Sequence, residues 1–230
     1  FFVNWLGIND AMSWAKEGGD DLSGAGIQTA IAEFNLNYDS LLTDLEGMGA
    51  QGVCATIPNL LSFPFFTTVT LEAVGKDVWI KEGADTTQIR KATNSDFILL
   101  TAVGDLDDGK GETQANPLPH EVVLDADEAE MVRTHINALN DEIKTLSAAH
   151  GYTVVDMYLY MDNLVSGMTF DGVDLSTKFI EGGAFSLDGL HPNSRGNAVV
   201  ANEFIRVINQ SYGSSLRPVS VSSYPGIYFP

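Results

Sequence analysis

The apolar residues of this chain fall into short dense runs separated by longer periodic stretches. Phe1-Phe2-Val3-Asn4-Trp5-Leu6 is dense in apolar and aromatic side chains, as a buried strand is. Gly7-Ile8-Asn9-Asp10 follows as a tight turn. Residues 11–26, rich in Gly, Ser and Asp around Trp14, read as a surface loop shaping a pocket rim. From Thr29 to Leu45, the residues Ile31, Ala32, Phe34, Leu41, Leu42 and Leu45 recur at helical spacing, with a break near Asn35–Asn37. Gly47 and Gly49 stop that helix. Val53–Ile57 is a buried strand ended by Pro58-Asn59. Strand, helix, strand predicts a parallel sheet with right-handed crossovers.

Residues 60–120 break the rhythm and read as an insertion or subdomain. Phe63, Phe65 and Phe66 either line an apolar pocket or pack as core. Thr67–Leu71, Val78–Ile80 and Phe97–Val103 read as strands, and Gly104 to Pro119 as a long loop. The acidic residues Asp105, Asp107 and Asp108 lack calcium-loop spacing, so no metal is expected.

The clearest helix is Asp125–Ala149, capped by Asp125 or Asp127. Its buried stripe is Met131, Ile136, Leu139, Ile143 and Leu146, and Gly151 ends it. His135 is expected at the surface or its boundary. His150 suits the helix C-terminus, where the dipole favours a cation. Tyr152–Met157 is the next strand, with Asp156 at its end. A short helix and a Gly-rich loop occupy 158–183. Ala198, Val199, Ala201, Phe204, Ile205 and Ile208 predict a last helix running to about Tyr212. The tail 213–230, with Pro218, Pro225 and Pro230, reads as an irregular strap. The whole, residues 1–230, is one domain carrying the 60–120 insertion.

Charge narrows the partners. Twelve basic residues face 31 acidic ones, a net charge of −19. That argues against nucleic acid, which needs basic patches. No apolar run approaches the ~18 residues of a membrane span. The one cysteine, Cys54, excludes an intrachain disulfide. No Gly-rich phosphate loop follows a strand, and no cofactor is expected.

The candidate chemistry lies in Ser186-Leu187-Asp188-Gly189-Leu190-His191-Pro192-Asn193, just before the last helix. Pro192 fixes its own φ and biases His191 toward an extended backbone. A carboxylate three residues away can hold one ring nitrogen of His191 and leave the other as a base. Gly7, Asn9 and Asp10 follow a strand's C-terminal end, the edge where open α/β sheets bind ligands. The Asn9 amide can then serve as an oxyanion donor. What this division of labour lacks is a nucleophilic serine.

These residues resemble the SGNH, or GDSL-type, hydrolases. The family's third block, Gly-x-Asn-Asp, is matched by Gly7-Ile8-Asn9-Asp10. Its fifth block, Asp-x-x-His, is matched by Asp188-Gly189-Leu190-His191, about 180 residues on. The resemblance implies a flavodoxin-like three-layer α/β/α sandwich with a parallel sheet. It also implies ester hydrolysis through an acyl-enzyme, on a small-molecule, lipid or carbohydrate ester. His191 and Asp188 would be catalytic, Asn9 an oxyanion donor, and Gly7 and Asp10 part of the same loop. The family's Gly-Asp-Ser block and its second-block glycine have no counterpart here. Residues 1–230 are therefore expected to be a C-terminal portion, with the first strands and the serine supplied by an upstream segment or partner chain. Such a portion alone is expected to be inactive. A secreted, periplasmic or cell-surface location follows from the resemblance and the scarcity of cysteine. The alternative is a catalytically inactive lipid- or carbohydrate-binding module.

Overall fold

A computed structural model of the chain describes residues 1–19, 31–83 and 88–227. In chain order, β1 (Phe2–Asn4) leads to α1 (Asn9–Ala15), α2 (Ile31–Gly47) and β2 (Gly52–Ala55). Next come α3 (Pro64–Thr67), α4 (Leu71–Val74), β3 (Trp79–Lys81), β4 (Ile89–Lys91), β5 (Phe97–Ile98) and α5 (Val103–Asp107). Then follow β6 (Val123–Leu124), α6 (Ala126–Ala149), β7 (Thr153–Val155), α7 (Met157–Val165), β8 (Met168–Phe170), β9 (Val173–Leu175) and α8 (Ser194–Tyr212). The chain divides into two compact units. One comprises Phe1–Ile8, Thr29–Asn59 and Asn137–Pro230, the other Asn9–Gln28 and Leu60–Ile136.

The first unit holds the expected parallel sheet, in the order β1-β2-β7. All four residues of β2 are buried. A central strand of a parallel sheet is covered on both faces, and this one reads as a continuous small and apolar run. Ile57, just past β2, is tied to α6: the Asn140 amide accepts from Ile57 N–H (2.7 Å) and donates to its C=O (2.9 Å). This buried side chain continues the hydrogen bonding of the strand where the sheet stops. Beside it, Thr56 Oγ1 donates to Asp156 (3.2 Å) and accepts from Tyr158 N–H (2.9 Å). Asp156 caps α7 by accepting from Leu159 N–H.

The helices correct several expectations. α2 runs unbroken through Asn35–Asn37, because Phe34, Tyr38 and Leu42 carry the buried stripe at intervals of four. Of the two candidate caps for α6, Asp125 is used. Its Oδ1 accepts from Asp127 and Glu128 N–H while Glu128 accepts from Asp125 N–H (2.8 Å), a reciprocal capping box. Met131 is 46% exposed and does not belong to the stripe; Ala129 and Val132 replace it ahead of Ile136, Leu139 and Ile143. His135 is buried, against expectation, and its Nε2 has no hydrogen-bond partner among the described residues. His150 does follow α6, and it is clamped between Asp39 (2.9 Å) and Glu46 (2.6 Å) of α2. After α7, residues 158–183 also form a hairpin, β8–β9, turned by Asp171 (φ 51°) and Gly172 (φ 76°).

In the second unit, Val78, Ile80, Ile98, Ala102, Leu118 and Val123 form a small core. Thr67–Leu71 is not a strand. Pro64 opens α3, and Thr70 caps α4 by accepting from Ala73 N–H. Phe97–Val103 is extended only over its first two residues and then coils into a 3-10 turn and α5, so the 104–119 loop begins as a helix. A short apolar run does not by itself distinguish strand from buried helix. Phe63, Phe65 and Phe66 are buried, and Phe66 stacks edge-on against both Phe65 and Phe97, which is core packing. Asp105 is paired with Lys110 (2.6 Å). The expected 11–26 loop is α1 up to Ala15, with Ala11, Met12 and Ala15 buried. Residues 20–26 of that loop, the first residues of the helix expected from Thr29, and 228–230 of the tail lie outside the described residues. Among the described residues, no helix is long and apolar enough to cross a membrane.

Candidate active site

The 183–193 loop is built around Asn193. Its side-chain carbonyl caps α8, accepting from Arg195 N–H (2.9 Å) and Gly196 N–H (3.0 Å). Its amide nitrogen donates back to Gly183 (2.9 Å) and Phe185 (3.1 Å) carbonyls. One side chain thus ties the start of α8 to the strand-like segment before the loop. The approach is close: a Cβ on Gly196 would lie 2.1 Å from the Ala184 carbonyl oxygen. Phe185 pairs with Pro192 as an antiparallel bridge, and Ser186 N–H donates to His191 C=O (2.8 Å). Gly189, at φ 70°, turns the chain between them and donates to Ser186 C=O (3.1 Å).

Asp188 and His191 meet inside this closed turn. His191 Nδ1 lies 2.7 Å from Asp188 Oδ2. The other carboxylate oxygen, Oδ1, accepts from Ser186 Oγ (2.6 Å), Leu190 N–H (2.9 Å) and His191 N–H (3.0 Å). Burial pushes the Asp188 carboxyl up, but the bonds from Ser186, the His191 ring and the two backbone N–H groups outweigh it. They hold the group well below the usual carboxylate range. An ionised Asp188 accepts a proton from Nδ1–H, which places the lone pair of the neutral ring on Nε2. Nε2 carries no hydrogen bond among the described residues, and the ring is 80% exposed. This arrangement supplies an oriented base.

The remaining sequence candidates are placed as follows. Gly7 sits buried after β1 with φ 106°, and a Cβ there would meet Ile57 at 2.7 Å, so only glycine makes this turn. Asn9 and Asp10 open α1 in the second unit. Sequence reasoning did not assign roles to Ser186 or Asn193. An Asn just before an amphipathic helix is a readable cap signal. Nothing in the sequence marks a serine two residues before an aspartate.

A family model described as GDSL-like Lipase/Acylhydrolase matches residues 1–204. No curated protein and no solved structure matches the chain. The match spans the β1-β2-β7 sheet and the Asp188–His191 turn alike. On that ground the chain belongs to the GDSL-like lipase/acylhydrolases, ester hydrolases with a flavodoxin-like α/β fold.

Proposed function

We propose that this chain carries the base, its orienting acid and an oxyanion donor of a serine ester hydrolase. The observation that carries the reading is the 2.7 Å contact from His191 Nδ1 to Asp188 Oδ2, with Nε2 left open. In the reaction, His191 Nε2 takes the proton of a serine hydroxyl as the oxygen attacks an ester carbonyl. Asp188 stabilises the imidazolium that results. The oxyanion donor proposed from the Gly7-Ile8-Asn9-Asp10 block is the amide of Asn9, which opens α1 beside Asp10. The alcohol leaves with the proton from His191, and water reverses these steps to release the acid.

The nucleophilic serine is not among Ser13, Ser62, Ser186 and Ser194. Ser13 lies on α1, Ser62 in a 3-10 turn, Ser194 on the first turn of α8, and Ser186 is bonded to Asp188. None of these stands at a strand-to-helix elbow. Among the described residues β1 pairs only with β2, and Val3 is 53% exposed.

His191→Ala and Asp188→Ala should each lower kcat on a p-nitrophenyl ester by about three orders of magnitude or more, as in other triads. A loss below about tenfold for His191→Ala removes the assignment. The open setting of the His191 ring favours a second reading, an inactive lipid- or carbohydrate-binding module. A serine-directed organophosphonate separates the two: the hydrolase is labelled at one serine, the binding module is not.

A further inference from the structure

We propose that Ser186 is a positioning residue whose hydroxyl holds the Asp188 carboxylate in the plane that presents one oxygen to the His191 ring. This rests on the reading of His191 as the base. The argument begins from exposure. Asp188 is 48% and His191 80% exposed at the side chain. An ion pair or hydrogen bond in such a setting competes with water and on its own holds the ring only weakly. A catalytic ring needs firmer placement than that.

The turn supplies it on the far side of the carboxylate. Oδ1 accepts three donors, at 2.6 Å from Ser186 Oγ, 2.9 Å from Leu190 N–H and 3.0 Å from His191 N–H. The two backbone donors come from the same side of the turn as the ring. Ser186 is the only side-chain donor of the three. Its own backbone is fixed, because its N–H donates to His191 C=O (2.8 Å) and its C=O accepts from Gly189 N–H (3.1 Å). Together the three donors fix the plane of the carboxylate, and it cannot swing out of line with the ring without giving up bonds on that side. Removing the hydroxyl would also make the carboxylate a slightly better acceptor, which strengthens the bond to the ring. In a water-exposed turn the loss of orientation is the larger effect, since a freely turning carboxylate is solvated at both oxygens. The same contact explains why Ser186 is no nucleophile: its proton is committed to Asp188.

The test uses the 1–230 chain itself, labelled with 15N-histidine, and reads the imidazole nitrogens of His191 by NMR above its titration. Ser186→Thr keeps the hydroxyl, and Ser186→Val has the same shape without it, so the pair controls for packing. The wild type and Ser186→Thr should hold the neutral ring with its proton on Nδ1. Ser186→Val should shift the tautomer ratio toward Nε2–H by about fivefold, what one ordinary hydrogen bond is worth. Equal ratios in the Thr and Val variants overturn the role of Ser186, whether or not both disturb the loop. A wild-type ring already protonated on Nε2 instead overturns the dyad reading on which the proposal stands. In ester hydrolysis, the Val variant should lose kcat with KM unchanged and the Thr variant should recover it.

Discussion

Two carboxylates of this chain are driven in opposite directions by their surroundings. Asp188 gathers donors and stays ionised. Glu128 is buried, and burial pushes its carboxyl up to about 7 despite the bond from Asp125 N–H. In the unfolded chain Glu128 titrates near 4.5. The folded state therefore binds the extra proton between these values, and stability falls as pH rises from about 4.5 to 7. Glu128→Gln can still accept from Asp125 N–H but cannot ionise. Each pKa unit corresponds to about 1.4 kcal/mol, so at pH 7 the variant should be more stable than wild type by on the order of 3 kcal/mol. Urea denaturation at pH 4 and pH 7 checks this; equal differences at both pH values refute it. His150 shifts stability with pH in the same direction, but from the opposite cause: here the charged form is the favoured one. Its bonds to Asp39 and Glu46 raise its pKa above 6.5. The clamp therefore stabilises fully below pH 6.5 and is lost as pH rises through the folded value. His150→Gln should lower Tm at pH 5.5 and leave it nearly unchanged at pH 9, which a pair of thermal melts decides.

Between elements, single polar side chains hold the first unit together where strands stop. Asn140 serves both backbone groups of Ile57, and both residues are buried. Asn140→Ala leaves a buried donor and a buried acceptor unpaired. It should lower stability by about 2–5 kcal/mol, seen as a lower urea midpoint with the slope unchanged. Asn193 plays the matching part for α8, and both are legible after the fact as amides beside apolar runs. Asp171-Gly172 is different. The pair is a hairpin signal readable in the sequence, flanked by Phe170 and Val173, where a helix and loop are expected over 158–183. The Phe97–Val103 run had no such mark. Seven apolar or small residues fit a strand or a buried turn equally, and packing on the Val78–Leu118 core chose the coil. Met131 failed for a related reason. Helical spacing defines a stripe to within a residue or so, and the neighbouring Val132 faces the core instead.

For the whole molecule, 31 acidic residues against 12 basic ones make self-repulsion a standing cost of folding. Most of its ion pairs are exposed and contribute little, so screening should relieve more repulsion than it removes attraction. Raising sodium chloride from about 10 mM to 150 mM should increase Tm by about 2–4 °C. A fall in Tm would mean that the pairs, Arg90–Asp96 foremost, outweigh the net charge. What the sequence alone determined is the part written in local pattern. The strand, helix, strand order dictates a parallel sheet. The Asp-x-x-His-Pro turn dictates a carboxylate within reach of an imidazole, because three residues of turn span one hydrogen bond. Tertiary structure decided what holds the Asp188 carboxylate in line with the ring, and which of several apolar runs became strands. Those choices depend on groups far apart in the chain, or on a hydroxyl whose role no spacing rule encodes, and only packing and hydrogen bonding in three dimensions select among them.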